Sequence, residues 1–198
     1  LVIFGTGYAT ATRCYNTCFA IKSDEGVFLV DAGGGNEILR RLEAAGINLE
    51  DIRGMFVTHG HTDHIIGAVW IIRVIEAAMK SGKYNGEFPI YGHDEVCRTL
   101  KFMCDNMLAN GAYGWAGGKI RLNEVKDGDI ISAAGKIYTV FDIFSSKKKQ
   151  FGFTAEIEGN KLVCLGDEPF NPKCERYVSG VDILMSEASC LERDEERF

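Results

Sequence analysis

The stretch Thr58-His59-Gly60-His61-Thr62-Asp63-His64 decides how this chain is read. Three of its 4 histidines fall inside these residues, with a carboxylate just before the last. A lone histidine is ordinarily a surface group or a hydrogen-bonded member of a core. Three in this spacing, between the apolar run Met55-Phe56-Val57 and the helical pattern beginning at Ile65, point instead to a cation site. His59 and His61 stand two apart, and in an extended segment such residues face the same way, so both rings can reach one ion. On a helix that spacing would turn them apart, and a zinc-binding helix uses i and i+4 instead. Asp63 and His64 fall where the helix begins. As neighbours they point differently, which suits a second ion beside the first. Gly60 lets the backbone turn tightly between ligands. Nitrogen and carboxylate donors suit zinc first, with manganese or iron as alternatives.

On both sides of this stretch the pattern alternates between strands and helices. Leu1 to Phe4, Cys18 to Ile21 and Val27 to Val30 read as strands, the last two joined by the turn Ser23-Asp24-Glu25-Gly26. Asp31-Ala-Gly-Gly-Gly35 follows, then Asn36 as the cap of a helix over 37–45 that Gly46 stops. Ile65, Val69, Ile72, Ile75 and Met79 recur at three- and four-residue steps and predict a helix over 65–79 with those residues in the core. Trp70 reads as helix packing. Further on, strands are expected at 88–91, 130–131, 136–144, 151–157, 162–165 and 181–185, with a helix over 95–106 and a Gly-rich aromatic loop over 110–119. The mixture predicts an α/β (α+β) protein of stacked layers.

Composition sets the outer bounds. The 198 residues suffice for one domain with a real core, and 46% hydrophobic with 25% charged residues excludes a disordered chain. A net charge of −6 argues against an unspecific nucleic-acid binder. No apolar stretch is long enough to span a bilayer and no basic-then-apolar leader opens the chain, so neither membrane nor secretion is expected. The 7 cysteines include no CxxC pair and read as reduced thiols of a cytoplasmic protein.

The histidine stretch resembles the signature of the metallo-β-lactamase superfamily. Val27 to Gly35, Leu165-Gly166-Asp167 and Val181 to Ala188 resemble, in order, its strand ending in Asp and a glycine turn, its later Gly-Asp, and the strand that follows. Phe4-Gly5-Thr6-Gly7 with Arg13, Asn16 and Thr17, and His64-Ile65-Ile66-Gly67, are similar to the ribonuclease Z branch. The resemblance covers essentially the whole of residues 1–198 and implies one four-layer αββα sandwich, shortened at its C-terminus, with metals at one edge of the two sheets. It implies a hydrolase with two divalent ions held by His59, His61, Asp63, His64 and Asp167, the last as a bridge. It also implies a hydroxide nucleophile generated between ions ~3.5–4 Å apart. Asp63 would orient the attacking water or take its proton, Asp31 would fasten the glycine turn and the histidines, and Glu187 could support them. A small-molecule or nucleic-acid phosphodiester is the substrate class implied, and pairing into a homodimer is common among such relatives.

Three departures qualify that expectation. The family takes another histidine from a strand end before the Gly-Asp, yet no histidine follows His93 here. Phe144 is the expected position, Ser146 a second, and Asp142 a candidate substitute. The family's last histidine also has no counterpart before Phe198. Finally, 153–165 is only a hairpin's length, which leaves no room for the transfer-RNA arm common in ribonuclease Z enzymes. A single-metal or non-catalytic relative, and a lactonase or thioesterase, therefore stand as alternatives to a phosphodiesterase. Lys147-Lys148-Lys149 reads first as a solvated turn and second as a phosphate contact, His93 as an exposed turn residue, and Trp115 with Tyr113 as a lid.

Overall fold

The computed structural model describes residues 1–108 and 115–186. Val2–Gly5 (β1), Cys18–Ser23 (β2) and Gly26–Val30 (β3) form an antiparallel meander in which Ser23 faces Gly26 across the turn. The pairing then becomes parallel. Ile52–Phe56 (β4), Phe88–Gly92 (β5) and Ile120–Glu124 (β6) follow β3 in spatial order, completing a sheet of six. Parallel neighbours need long crossovers, and three helices supply them: Glu37–Ala44 (α1), Thr62–Lys80 (α2) and Asp94–Met107 (α3).

The second sheet is built from hairpins. Ile130–Ala133 (β7), Lys136–Asp142 (β8), Phe151–Ile157 (β9) and Asn160–Cys164 (β10) are antiparallel, and Ile183–Met185 (β11) lies parallel to β10. The β9–β10 turn is Glu158-Gly159, both left-handed at φ +52° and +78°, so no arm leaves the fold there.

Burial fixes the layers. Phe19, Ile21, Phe28, Val30 and Phe56 of the first sheet meet Tyr138, Val140, Phe153 and Leu162 of the second. The other face of the first sheet, through Leu29, Met55 and Ile90, is covered by Ile38 and Leu42 of α1, Ile65, Ile72 and Ile75 of α2, and Val96 and Leu100 of α3. Outside the second sheet, Phe141, Ile143, Val163 and Leu165 pack beneath Cys174, Tyr177, Val178 and Val181. That fourth layer is short among the described residues: a turn of 310 helix, Pro172–Cys174, and the helix Glu175–Val178 (α4). The order is αββα, as the resemblance implied. No helix among the described residues is long and apolar enough to cross a membrane.

Several boundaries differ from the sequence pattern. α2 begins at Thr62, because the polar first turn carries no apolar period, and Asp63 there complements the helix dipole. β6 was not foreseen: Ile120 and Leu122 alternate with Arg121 and Asn123 in an edge strand too short to stand out. Asn36 occupies the N-cap of α1 without a side-chain cap bond. Trp70 is 37% exposed, since Val69 and Ile71 on either side face the core.

Candidate metal centre

The parallel strands all run toward one edge, and the polar groups collect just beyond their C-terminal ends. Asp31 follows β3, Thr58 and His59 follow β4, and His93 follows β5. Asp167 arrives from the second sheet, three residues beyond Cys164 at the end of β10.

Asp31 is the hub. It is buried at φ +55°, a left-handed conformation that turns its carboxylate back under the histidine loop. Oδ1 accepts the Thr58 N–H at 2.8 Å, and Oδ2 accepts the Thr58 hydroxyl at 2.8 Å and His64 Nδ1–H at 2.7 Å. With its hydroxyl proton given to Asp31, Thr58 Oγ1 accepts from His59 Nδ1, 2.9 Å away. Both rings are thereby locked with Nδ1 occupied and Nε2 directed into the site. Asp31→Asn cannot accept all three bonds. It is expected to weaken zinc affinity about 10–100-fold with the fold retained, measured by competition against a chelator dye.

Two groups of donors result. His59, His61 and Asp167 form one, and Asp63, His64 and Asp167 the other, with the donor atoms of each within 4.8 Å of one another. His59 Nε2 and His61 Nδ1 stand 2.9 Å apart. Asp167 Oδ2 lies 4.0 Å from His59 Nε2 and 3.6 Å from His64 Nε2, which makes it the member common to both groups. Asp63 Oδ2 is 3.6 Å from the same His64 nitrogen. The five residues singled out from the sequence thus come together in space.

The electrostatics ask for positive charge. His59 is driven down to about 2 by burial and then by the neighbouring His64 and His61, which favours a neutral ring with the Nε2 lone pair turned into the site. Burial also opposes charging of His64, but Asp31 and Asp167 outweigh it and raise that ring to about 10. Its buried Nε2 has no hydrogen-bond partner among the described residues. A proton there answers the carboxylates at 3.6 Å, and a divalent cation would answer them more fully. Imidazole and carboxylate donors around an orphaned buried nitrogen fit a divalent cation of the zinc, manganese or iron kind.

Other expectations need correction. Asp142 joins neither group; its Oδ1 accepts the Phe144 N–H and caps its own loop. Phe144, left-handed at φ +58°, is 37% exposed beneath the Lys173 ammonium, and Ser146 is exposed. His93 is fully buried against Phe151, with neither ring nitrogen hydrogen-bonded among the described residues and Nδ1 3.7 Å from Asp94 Oδ1, because β9 covers the end of β5. Burial, then Lys149, lowers its pKa. The lysine run is no free turn: Lys148 and Lys149 reach Glu95 and Asp94 on α3. Two supporting residues carried no sequence signal. Gln150, buried, accepts the Asp167 N–H at 3.1 Å through Oε1, and Tyr15 donates its hydroxyl to the Ala32 and Gly35 carbonyls of the glycine turn. Glu187, Tyr113 and the side chain of Trp115 lie outside the described residues.

Residues 11–102, which carry the Asp31 turn and the histidine loop, match the family described as the metallo-beta-lactamase superfamily. In sequence over that stretch, the chain resembles the metallo-β-lactamase superfamily. Ribonuclease Z of Methanococcus aeolicus is 31% identical over 126 residues, 63% of this chain but 36% of that protein, so the chain spans about a third of such curated relatives. Among solved structures, the metallo-beta-lactamase fold protein YhfI of Bacillus subtilis superposes with a TM-score of 0.74 at 16% identity, covering 92% of this chain and 69% of that one. The short form of human tRNase Z gives 0.71 at 17% identity, covering 92% and 75%. At these identities the structural likeness is one of fold. The superfamily fold accounts for the placement of both donor groups at the shared edge of two sheets.

Proposed function

We propose that residues 1–198 form the metal-binding unit of a hydrolase that uses two divalent cations, zinc for preference, to cleave phosphodiesters. The carrying observation is the position of Asp167 Oδ2 within 4.0 Å of His59 Nε2 and 3.6 Å of His64 Nε2, a carboxylate shared by two donor groups. The ribonuclease names of the curated relatives support a phosphodiester as the bond class. Cations held there would supply a hydroxide near neutral pH and offset charge developing on the phosphoryl oxygens. Asp63, at the N-terminus of α2, would orient the attacking water and take its proton. Asp31 would hold His64, and Thr58 would hold His59, in the tautomers that ligation needs.

The test is a purified, zinc-loaded chain assayed on bis-p-nitrophenyl phosphate, with the ions counted per chain. Two ions and turnover abolished by a chelator are the expected result. One ion and no turnover across a broad ester panel would favour a single-metal relative. That second reading draws on the loop 143–150, which adds no residue to either donor group. In either case, chelation is expected to lower the melting temperature. An ion at 1,000 times its dissociation constant stabilises the folded state by about 4 kcal/mol, and a differential scanning measurement reads its loss.

A further inference from the structure

Four of the five donor residues sit on the turn from β4 into α2, and Asp167 alone comes from the second sheet. Its side chain is 26% exposed, whereas His59 and His64 are buried. Packing confines the imidazoles far more than it confines the shared carboxylate, which needs another means of keeping its distance from them.

The loop 143–150 supplies that means, although it adds no residue to either donor group. Gln150 stands at its end, 1% exposed, and its Oε1 accepts the Asp167 N–H at 3.1 Å. Gly166, left-handed at φ +67°, lets that oxygen come close: a Cβ there would stand 2.9 Å from Gln150 Oε1 and 3.7 Å from Thr58 Cβ. The main chain around Gln150 is tied as well. The Gln150 carbonyl accepts Ile143 N–H at 3.2 Å, and Phe151 N–H donates to the Thr58 carbonyl at 3.0 Å. Thr58 is the residue that bonds both Asp31 and His59. Gln150 and Phe151 thus form a two-residue strut, with one end on the Asp167 turn and the other on the residue before His59. Ser145 adds a second tie, its Oγ donating to Glu168 Oε1 at 2.7 Å, so the loss of one bond leaves the turn attached.

We propose that Gln150 is a positioning residue of the metal centre: through its side-chain oxygen it holds the Asp167 turn so that the carboxylate faces both donor groups. This rests on the reading of that edge as a cation site and not on the hydrolase chemistry. An N–H deprived of its acceptor turns toward water, and the Asp167 turn, outside any strand or helix, can follow it. Because Asp167 Oδ2 belongs to both groups, every ion bound there feels the change. The loop that adds no ligand therefore acts on the centre through the backbone of a ligand.

The experiment titrates the purified chain with zinc against a chelator dye, and the melting temperature of the metal-free protein is recorded beside it. Gln150→Met keeps the length and loses the acceptor. Gln150→Asn keeps the amide and withdraws it by one methylene. Each should weaken every zinc-binding step about 10–100-fold. Gln150→Glu returns an acceptor oxygen at the same reach and should recover most of the affinity. Tyr84→Phe is the stability control. It removes a buried bond to the Ile52 carbonyl, 2.6 Å long, and should lower the melting temperature with zinc affinity unchanged. Parental zinc affinity in both Gln150→Met and Gln150→Asn, an equal loss in Gln150→Glu, or an equal loss in Tyr84→Phe would each overturn the proposal, as would a parent that binds no zinc. A parent that holds one ion and hydrolyses nothing would sink the phosphodiesterase reading alone, since the same variants should still weaken that ion.

Discussion

Asp63→Asn is expected to cut turnover of bis-p-nitrophenyl phosphate by about 10²–10⁴-fold while the protein stays folded. The carboxylate lies in the first turn of α2, buried, with Oδ2 3.6 Å from His64 Nε2. Asparagine keeps the size and the hydrogen-bonding reach of that group, so packing against the glycine turn survives. It cannot take a proton from water, and it removes a negative charge facing the second donor group. Both losses fall on the chemical step more than on substrate binding, so kcat should drop with KM little changed. Circular dichroism and zinc content separate this outcome from misfolding or an emptied site. Parental turnover in Asp63→Asn would remove Asp63 from the chemistry and leave it a ligand at most.

How much of this was legible beforehand depends on how local each feature is. His59, His61, Asp63 and His64 occupy one strand-to-helix turn, so their relative directions follow from backbone period alone. Asp31 and Asp167 were legible through the resemblance of Val27 to Gly35 and of Leu165-Gly166-Asp167 to the family's segments, since each lies far in sequence from the histidine loop. His93 was not: whether the end of β5 is open to water depends on Phe151, which reaches it from the other sheet. Lys148 fails for the same reason, since its place beside Glu95 is set by contacts between residues far apart in sequence. Gln150 is a polar residue in a polar stretch, and only the fold reveals that it is buried under Asp167. Hydrophobic periods report which face of an element is covered, and they are silent on which loop covers it.

The contact that joins fold to site is expected to fail in Gly67→Ala. A Cβ at Gly67 would stand 1.8 Å from the Ala32 carbonyl oxygen and 2.5 Å from its carbon, both main-chain atoms that cannot swing aside. Inside α2, alanine would ordinarily gain about 1 kcal/mol over glycine, so the sign of the effect is decided by the clash. The helix cannot simply tilt away. Gly67 N–H donates to the Gly33 carbonyl at 2.8 Å, and Ala32 N–H to the His64 carbonyl at 3.1 Å, so moving α2 breaks the bonds that hold the Asp31 turn beneath it. His64 would leave Asp31 with the same motion. We expect a loss of at least about 4 kcal/mol in urea unfolding, or no folded protein, and reduced zinc affinity in any fraction that folds. Gly35→Ala, in the same glycine run, is the control: no atom lies within 4 Å of a Cβ there, and the change should be nearly neutral. If Gly67→Ala melts with the parent and binds zinc as tightly, the close seating of α2 on the Asp31 turn is not what places His64, and the geometry of the second donor group must be held from elsewhere.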